Sequence, residues 1–417
     1  MPENFHIDMP EAVRNIIHTI EEHGFKAYAV GGCIRDSILG RNPDDWDITT
    51  SAVPSQIKTF FKRTVDTGIA HGTVTIMIDK TGYEVTTYRI DGEYEDGRHP
   101  KSVEFSDRLV DDLCRRDFTI NAMAYNDTDG FVDEFKGLDD LDTKIIRCVG
   151  EPELRFTEDA LRMMRAIRFS AQLGFTIDEA TWNAIKKLSP SISKISMERV
   201  HVELGKTLMS AHPDYVAQYS EAGLFAPILP VIDNALKSRC KRKILATLQH
   251  TPDNIYLRYA ALFITSTPDE AAKTLRALKL DNKTVNTVSK LVELSKMDIE
   301  ETEPAVRTAL NKYGRDFLTL WHELMMAVIQ ASEDITGISN PAKVKHLLTL
   351  KRLGTDILAR GDCFTIKDLD ISGNDLIEYG LQGHEIGETL KSLLDIVIEN
   401  PKLNDKATLI AMIEHIK

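Results

Sequence analysis

Two adjacent glycines, Gly31 and Gly32, sit between the apolar run "KAYAV" and the stretch "CIRDSIL". The first reads as a strand and the second as a helix. Residues without a Cβ let the backbone turn sharply between such elements, and let another group approach it closely. A few residues on, "DDWDITT" places Asp45 and Asp47 on either side of Trp46, in what reads as a second strand. A strand–turn–helix–strand unit of this kind delivers the glycine turn and both carboxylates to one point.

Side chains alternate along a strand, so Asp45 and Asp47 share one face and Trp46 and Ile48 the other. Neighbouring carboxylates repel, and each opposes ionisation of the other. A divalent cation removes that conflict. Oxygen ligands suit Mg²⁺, which typically takes one or two carboxylates together with substrate phosphates. A D-x-D pair alone is equally at home in a turn or on a solvated surface. The glycine turn changes the weighting, because helix N-termini attract phosphate and Arg35 lies early in the same helix. Glu84, in "GYEVTTYR", is either a third carboxylate beside this pair or a solvent-facing strand residue.

Further along, "GTVTIMID" and "YEVTTYRI", separated by "KTG", read as an antiparallel hairpin. The stretch "DGEYEDGRHPKSVEF" (91–105) reads as a long loop. The strand signal fades near residue 146. The segment "EPELRFTEDALRMMRAIRFSAQLGF" then predicts one helix closing at Gly174, and amphipathic helices follow to the end. In "SGNDLIEYG", Ser372 and Asp375 have the spacing of a capping box. The expected architecture is an α+β head with a small mixed sheet, followed by an all-α remainder.

No stretch approaches a membrane span, and the five scattered cysteines lack metal or redox spacing, so a reduced cytoplasmic setting is expected. The net charge of −13 argues against a nucleic-acid partner. Two basic runs qualify that, "KSRCKRK" (237–243) and "KVKHLLTLKR" (343–352). Each taken alone reads as a solvated helix face.

The helix expected through "TEDALRMMRAIRF" carries Asp159, Arg162, Arg165 and Arg168 at intervals of three, so these would be neighbours on one face. A surface ion pair is the plain reading. A sharper one follows from donor and acceptor chemistry, since a carboxylate accepts and a guanidinium only donates. Cytosine and adenine each present an amino donor beside a ring-nitrogen acceptor; uracil and guanine present the reverse. An Asp159–Arg162 pair would therefore accept C and A and reject U and G, with Arg165 and Arg168 meeting triphosphate or buttressing the pair. In "LCRRDFTINAMAY", Arg115 and Arg116 precede an expected helix start, where one could face phosphate or ribose.

The segments "GGCIRDSILGRNPDDWDITT", "RRDFTINAMAY" and "EDALRMMRAIRF", in this order and spacing, resemble the class II tRNA nucleotidyltransferases, the CCA-adding enzymes of the DNA polymerase β superfamily. The resemblance is clearest over about residues 27–200, and the tail from "DISGNDLIEYG" onward is also similar. It implies a polymerase β-like catalytic head (1–145), a helical neck (146–210), a helical body (211–335) and a tRNA-binding tail (336–417). It further implies that Asp45 and Asp47 bind Mg²⁺ and are catalytic, with Asp44 a bystander. By the same resemblance Gly32, Arg35 and Arg116 contact the nucleotide, Asp159 and Arg162 read the base, and Arg165 and Arg168 complete the pocket. The partners implied are CTP, ATP and the acceptor and TΨC arms of tRNA, with no membrane; monomer and homodimer both stay open. The loop at 91–105 resembles the one that full CCA-adding enzymes use to switch from C to A. An A-adding or poly(A)-polymerising relative, and a non-catalytic RNA-binding protein on the same fold, are the alternatives.

Overall fold

Strand β1 (Ala27–Val30) is buried along its whole length and forms the middle of the head. It has β2 (Ile48–Thr50) antiparallel on one side and β8 (Ala124–Asn126) antiparallel on the other. The remaining strands of this sheet are β3 (Thr64–Gly68), β4 (Thr73–Ile78), β5 (Thr81–Thr87) and β9 (Gly130–Val132). The seven run in the order β3-β4-β5-β2-β1-β8-β9. The pair β2–β5 is parallel, so the sheet is mixed. The expected hairpin is present as β4–β5, antiparallel from Thr73↔Thr86 to Ile78↔Thr81. Its turn is Asp79–Lys80, both at positive φ (47° and 72°), the twist that suits a two-residue hairpin.

The computed structural model describes residues 6–92 and 102–416. It divides into two compact units after Pro230. In the first, α1 (Glu11–Glu22) precedes the sheet and buries Val13, Ile16, Ile17 and Ile20, the stripe its periodicity predicts. Gly24 follows at φ +85°, the left-handed stop expected there. The helix α2 (Gly32–Ile38) follows β1 directly. Helices α3 (Pro54–Phe60), α4 (Leu109–Cys114) and α5 (Gly137–Asp142) complete the head. Tyr28, Val30, Tyr88, Leu113, Ala122, Ala124 and Val149 close one of its buried clusters.

Four sequence expectations change on the structure. Strand β2 begins only at Ile48. Asp45 to Asp47 precede the strand, and the Asp47 carbonyl accepts from the Val30 amide at 3.0 Å. The alternation survives, with Trp46 and Ile48 buried and Asp45 and Asp47 exposed. The segment after Arg116 starts no α-helix; a 3₁₀ turn at Thr119–Asn121 leads into β8. Of the expected loop at 91–105, residues 93–101 lie outside the described residues. At its ends β6 (Arg89–Asp91) pairs with β7 (Val103–Phe105).

The fourth change matters most. The helix expected through 152–174 is two helices, α6 (Pro152–Glu158) and α7 (Leu161–Leu173). Asp159 between them is extended (φ −143°, ψ 104°), and its Oδ1 accepts from the Leu161 amide at 3.0 Å. The carboxylate that looked like a helical neighbour of Arg162 instead serves the start of the next helix, a role Asp takes readily. Gly174 closes α7 at φ +71°, as expected. The parallel pair β10 (Ile145–Ile146) and β11 (Thr176–Ile177) flanks these helices. Then come α8 (Glu179–Leu188), α9 (Met197–Leu208) and α10 (Val216–Glu221).

The second unit is helical throughout its described residues. It holds α11 (Pro230–Lys237), α12 (Lys241–His250), α13 (Ile255–Leu262), α14 (Pro268–Ala277), α15 (Asn282–Leu294), α16 (Glu303–Tyr313), α17 (Phe317–Thr336), α18 (Pro341–Arg360), α19 (Gly373–Glu378), α20 (His384–Glu399) and α21 (Lys406–Ile416). The Ser372–Asp375 capping box forms as its spacing predicts. Leu376, Leu393, Val397 and Leu409 centre a cluster near the C-terminus. Arg307 on α16 is 2% exposed and ties that cluster to the rest of the unit. It donates to the Ile398 carbonyl at 2.6 Å and to Asp362 at 2.9 Å, the paired state that a buried guanidinium requires.

Candidate active site

A cleft of about 390 Å³ opens in the first unit between the sheet and the helices after it. The sheet side contributes Asp47, Ile48, Thr73, Glu84 and Thr86; Arg115, Arg116, Asp117, Asp159, Arg162, Arg165 and Arg199 come from beyond it. Six arginines face four carboxylates around it, counting Arg89. The chain as a whole is acidic, but this cleft is not, which removes the charge objection to an anionic substrate.

On the sheet side, Glu84 precedes Val85, the parallel partner of Ile48, so it stands beside Asp47 on the neighbouring strand. The Asp47 oxygens reach solvent, yet the cleft walls deplete the water around them. That desolvation raises the Asp47 carboxyl; Arg116 opposes the rise and Asp45 reinforces it. Glu84 is raised too, by desolvation first and then by Asp47 and Asp45. Carboxylates that are partly desolvated and held near like charges behave this way. Among the described residues no three His, Cys, Asp or Glu side chains gather closely enough to hold a metal by themselves. Asp45 and Asp47 with Glu84 nearby are therefore a two-carboxylate site under electrostatic stress. This fits a cation that takes its other ligands from water and substrate.

Gly31 lies against Arg116, which lines the cleft. Its φ of +87° is left-handed, and a Cβ built there would lie 2.6 Å from Arg116 Nη1. The glycine lets the guanidinium lie against the backbone. Among the described residues Arg116 is loosely engaged, with long contacts at 3.5 Å to the Asn121 carbonyl and to Asp112, and its buried Nε has no partner there. Asp112 is fully buried; burial would raise its carboxyl, but Arg115 and Arg116 outweigh that and hold it low.

The opposite side is tightly wired. Asp159 takes a two-pronged contact from Arg199 on α9, at 3.2 and 2.7 Å. Arg162 donates to Glu158 at 2.6 Å and to the carbonyls of Arg155 and Arg115 at 3.3 and 2.9 Å. Asp159 and Arg162 thus line one cleft, joined by the Arg162 amide donating to the Asp159 carbonyl at 3.0 Å, while their side chains are held by other partners. Arg165 grips Asp117 at 2.7 and 2.6 Å. Burial works to raise the Asp117 carboxyl, but Arg165, Asn121 and Arg162 together drive it well below the ordinary range.

Four sequence candidates do not line the cleft: Asp45, two residues before Asp47, and Gly32, Arg35 and Arg168. Gly32 begins α2 behind it. Arg35 is 8% exposed and turns to Asn121 at 2.6 Å and Asp36 at 2.7 Å, rather than toward Asp45 and Asp47. Arg168 is buried against Glu203 at 2.6 Å, 3.7 Å above the Phe169 ring. Arg35 and Arg165 also approach that ring, at 5.1 and 5.3 Å. Arg35 and Arg168 form an internal scaffold beneath the helical side, while Arg165 also lines the cleft. Sequence reasoning missed Arg199 and Asp117. Asp117 was visible in "RRDF", but a partner 40 residues from Asp159 leaves no local signal.

Residues 27–147 match a family described as the poly A polymerase head domain. Residues 174–236 match one described as a probable RNA- and SrmB-binding site of polymerase A, and 253–413 a putative tRNA nucleotidyltransferase domain 2. The CCA-adding enzyme of Pediococcus pentosaceus is 34% identical over 98% of this chain and 98% of its own. That of Levilactobacillus brevis is 36% identical over 99% and 98%. The crystal structure of the Bacillus stearothermophilus CCA-adding enzyme in complex with CTP superposes with a TM-score of 0.75 at 32% identity, covering 97% of each chain. A Thermotoga maritima CCA-adding enzyme complexed with tRNA shares the fold, with a TM-score of 0.60 at 20% identity over 99% and 97% of the two chains.

Proposed function

This chain belongs to the CCA-adding enzymes, and on that premise we propose that it adds C, C and A to the 3′ end of tRNA from CTP and ATP, releasing pyrophosphate. The observation that carries the reading is the single cleft that sets Asp47 and Glu84 opposite Asp159, Arg162 and Arg199. One side suits a triphosphate with its cation, and the other suits a base edge.

Asp45 and Asp47 would hold Mg²⁺, with Glu84 beside them. The chemistry a divalent cation supplies there is neutralisation of triphosphate charge and acidification of the attacking 3′-hydroxyl. Arg116, with spare donors and its back to Gly31, binds the triphosphate and offsets charge that develops as pyrophosphate leaves. Asp159 keeps acceptor capacity on Oδ2 beyond its Arg199 contact, and receives the exocyclic amino group of C or A. Arg162 keeps Nε–H and one Nη2–H uncommitted among the described residues, and donates to the adjacent ring nitrogen. Because both are already fixed by other partners, selecting the base demands little reorganisation. Uracil and guanine would set donor against donor and acceptor against acceptor. Arg165 and Arg168 position this side from below; Gly32 and Arg35 act through the fold of the β1–α2 turn.

The four-part division, with head 1–145, neck 146–210, body 211–335 and tail 336–417, assigns the catalytic cleft to head and neck. The helices beyond then hold the acceptor and TΨC arms of tRNA. No described helix is long and apolar enough to cross a membrane, and all five cysteines are free, in keeping with a reduced cytoplasm.

Nucleotide omission on a tRNA ending before C74 tests the reading. CTP alone should extend it by two residues, and CTP with ATP by three. Adenylation without CTP would indicate an A-adding or poly(A)-type enzyme. Tight tRNA binding without Mg²⁺-dependent turnover would indicate a binder.

A further inference from the structure

The second unit contains a cleft that the reaction does not use. It has a volume of about 570 Å³ and lies among α12, the end of α15, α17 and the start of α18. Its interior is apolar, formed by Trp321, Met325, Val328, Ile329, Ile335 and Leu347. Its rim is mainly cationic, formed by Lys243, Lys296 and Lys343 with His346, and carries one carboxylate, Asp298, which lies beside His346. Lys243 closes one basic run of the sequence and Lys343 opens the other. A hundred residues apart, they meet at one mouth. Each run alone reads as a solvated helix face; together they ring a cavity.

The rim cations differ in how they are occupied. His346 is engaged by Glu301 at 2.8 Å, with Asp298 at 3.7 Å. Lys296 reaches the Ser266 carbonyl. Lys243 and Lys343 are exposed, and neither makes an ion pair among the described residues. The apolar surface extends outward over Ile338, 72% exposed, and Met297, 43% exposed. An open apolar cavity of this size with a few convergent charges is the usual form of a small-molecule site.

We propose that this cleft binds a small amphipathic anion, an acyl or aromatic body with a carboxylate or phosphate head. The body displaces water from the Trp321, Val328 and Ile329 surface, and the head sits between Lys243 and Lys343. A polynucleotide suits it poorly, because a phosphodiester chain gains nothing from apolar walls. The site stands independently of the proposed nucleotidyl transfer, since no cleft residue of the first unit takes part.

The test uses the full chain and 11-bromoundecanoate, whose bromine quenches tryptophan fluorescence on contact. The expected result is saturable one-to-one quenching that disappears in Trp321→Phe while Trp46 and Trp182 still report. Lys243→Ala with Lys343→Ala should weaken binding roughly five- to tenfold, the scale of two exposed charge contacts, and raised salt should weaken it too. Undecyl phosphate and undecanoate should both compete, and their relative strength identifies the head group preferred. Undecanol should compete poorly, for want of charge, and inorganic phosphate poorly, for want of an apolar body. Equal competition by undecanol, strong competition by inorganic phosphate, unsaturable quenching, or displacement by truncated tRNA would each overturn the proposal, the last by making the cleft an RNA surface. Ile329→Glu, which puts a charge inside the cavity, should abolish binding in a variant whose thermal melt shows it folded; retained binding would place the ligand elsewhere.

Discussion

The two sides of the catalytic cleft handle charge in opposite ways. On the sheet side, Glu84 stands beside Asp47 on the neighbouring strand, and both carboxyls are raised, first by desolvation and then by Asp45 and, for Glu84, by Asp47 as well. On the helical side, Asp159, Arg162, Arg165 and Asp117 are all engaged, at distances of 2.6–3.3 Å. One side carries carboxyls raised by desolvation and neighbouring charge; the other is paired within the protein. The first suits variable ligands such as a metal and a triphosphate. The second suits a choice between bases, where a loose carboxylate or guanidinium would rotate to suit the wrong partner.

The largest effect should come from removing the carboxyls of the sheet side. Asp45→Ala or Asp47→Ala should lower nucleotide addition by at least about a thousandfold, while thermal stability holds or rises as repulsion is relieved; retained turnover by the pure variant would break the contrast. Damage to the paired side should instead appear as lost stability. Asp117→Ala strands Arg165 and Asn121 and should destabilise the first unit by about 3–5 kcal/mol, read from the urea midpoint. A smaller, qualitative change is expected from Asp159→Ala or Arg162→Ala. Either should relax exclusion of UTP and GTP by roughly ten- to a hundredfold, measured as incorporation ratios on truncated tRNA; unchanged rejection would remove the base-reading role. The smallest is a pH effect. Asp112 and Asp117 are held below their unfolded values. Near pH of about 4 they therefore bind fewer protons folded than unfolded, and their stabilisation, present at neutral pH, fades as acid is added. Asp117→Asn should flatten that acid limb in chemical denaturation.

Much of this was readable in the sequence, and the reason differs from place to place. The β4–β5 hairpin and the Ser372 cap rest on contacts between near neighbours, so composition and spacing suffice. The same holds for Asp45 and Asp47, whose alternation with Trp46 survives even though the ladder begins one residue later. The break at Asp159 was hidden, because the apolar period of "EDALRMMRAIRF" runs straight through it. At the break Asp159 is extended, and its carboxylate is held by the Leu161 amide and by Arg199 from another helix. Arg35 illustrates the same limit. Its position early in α2 was legible, but its direction is set by Asn121, 86 residues away. Local pattern names the residues that meet; long-range pairing decides which way they point.

The dependence of Asp159 on Arg199 also bears on the order in which the protein is made. During synthesis, Asp45 and Asp47 leave the ribosome early, and the central strand gains its second neighbour only when β8 follows at residues 124–126. Even then the carboxylate facing them has no anchor until α9 has emerged and docked. On the proposed base-reading role, a nascent chain shorter than that carries one half of the cleft and lacks the anchored carboxylate that would select the base. The distance in sequence from Asp45 to Arg199 then sets when both halves of the cleft first coexist.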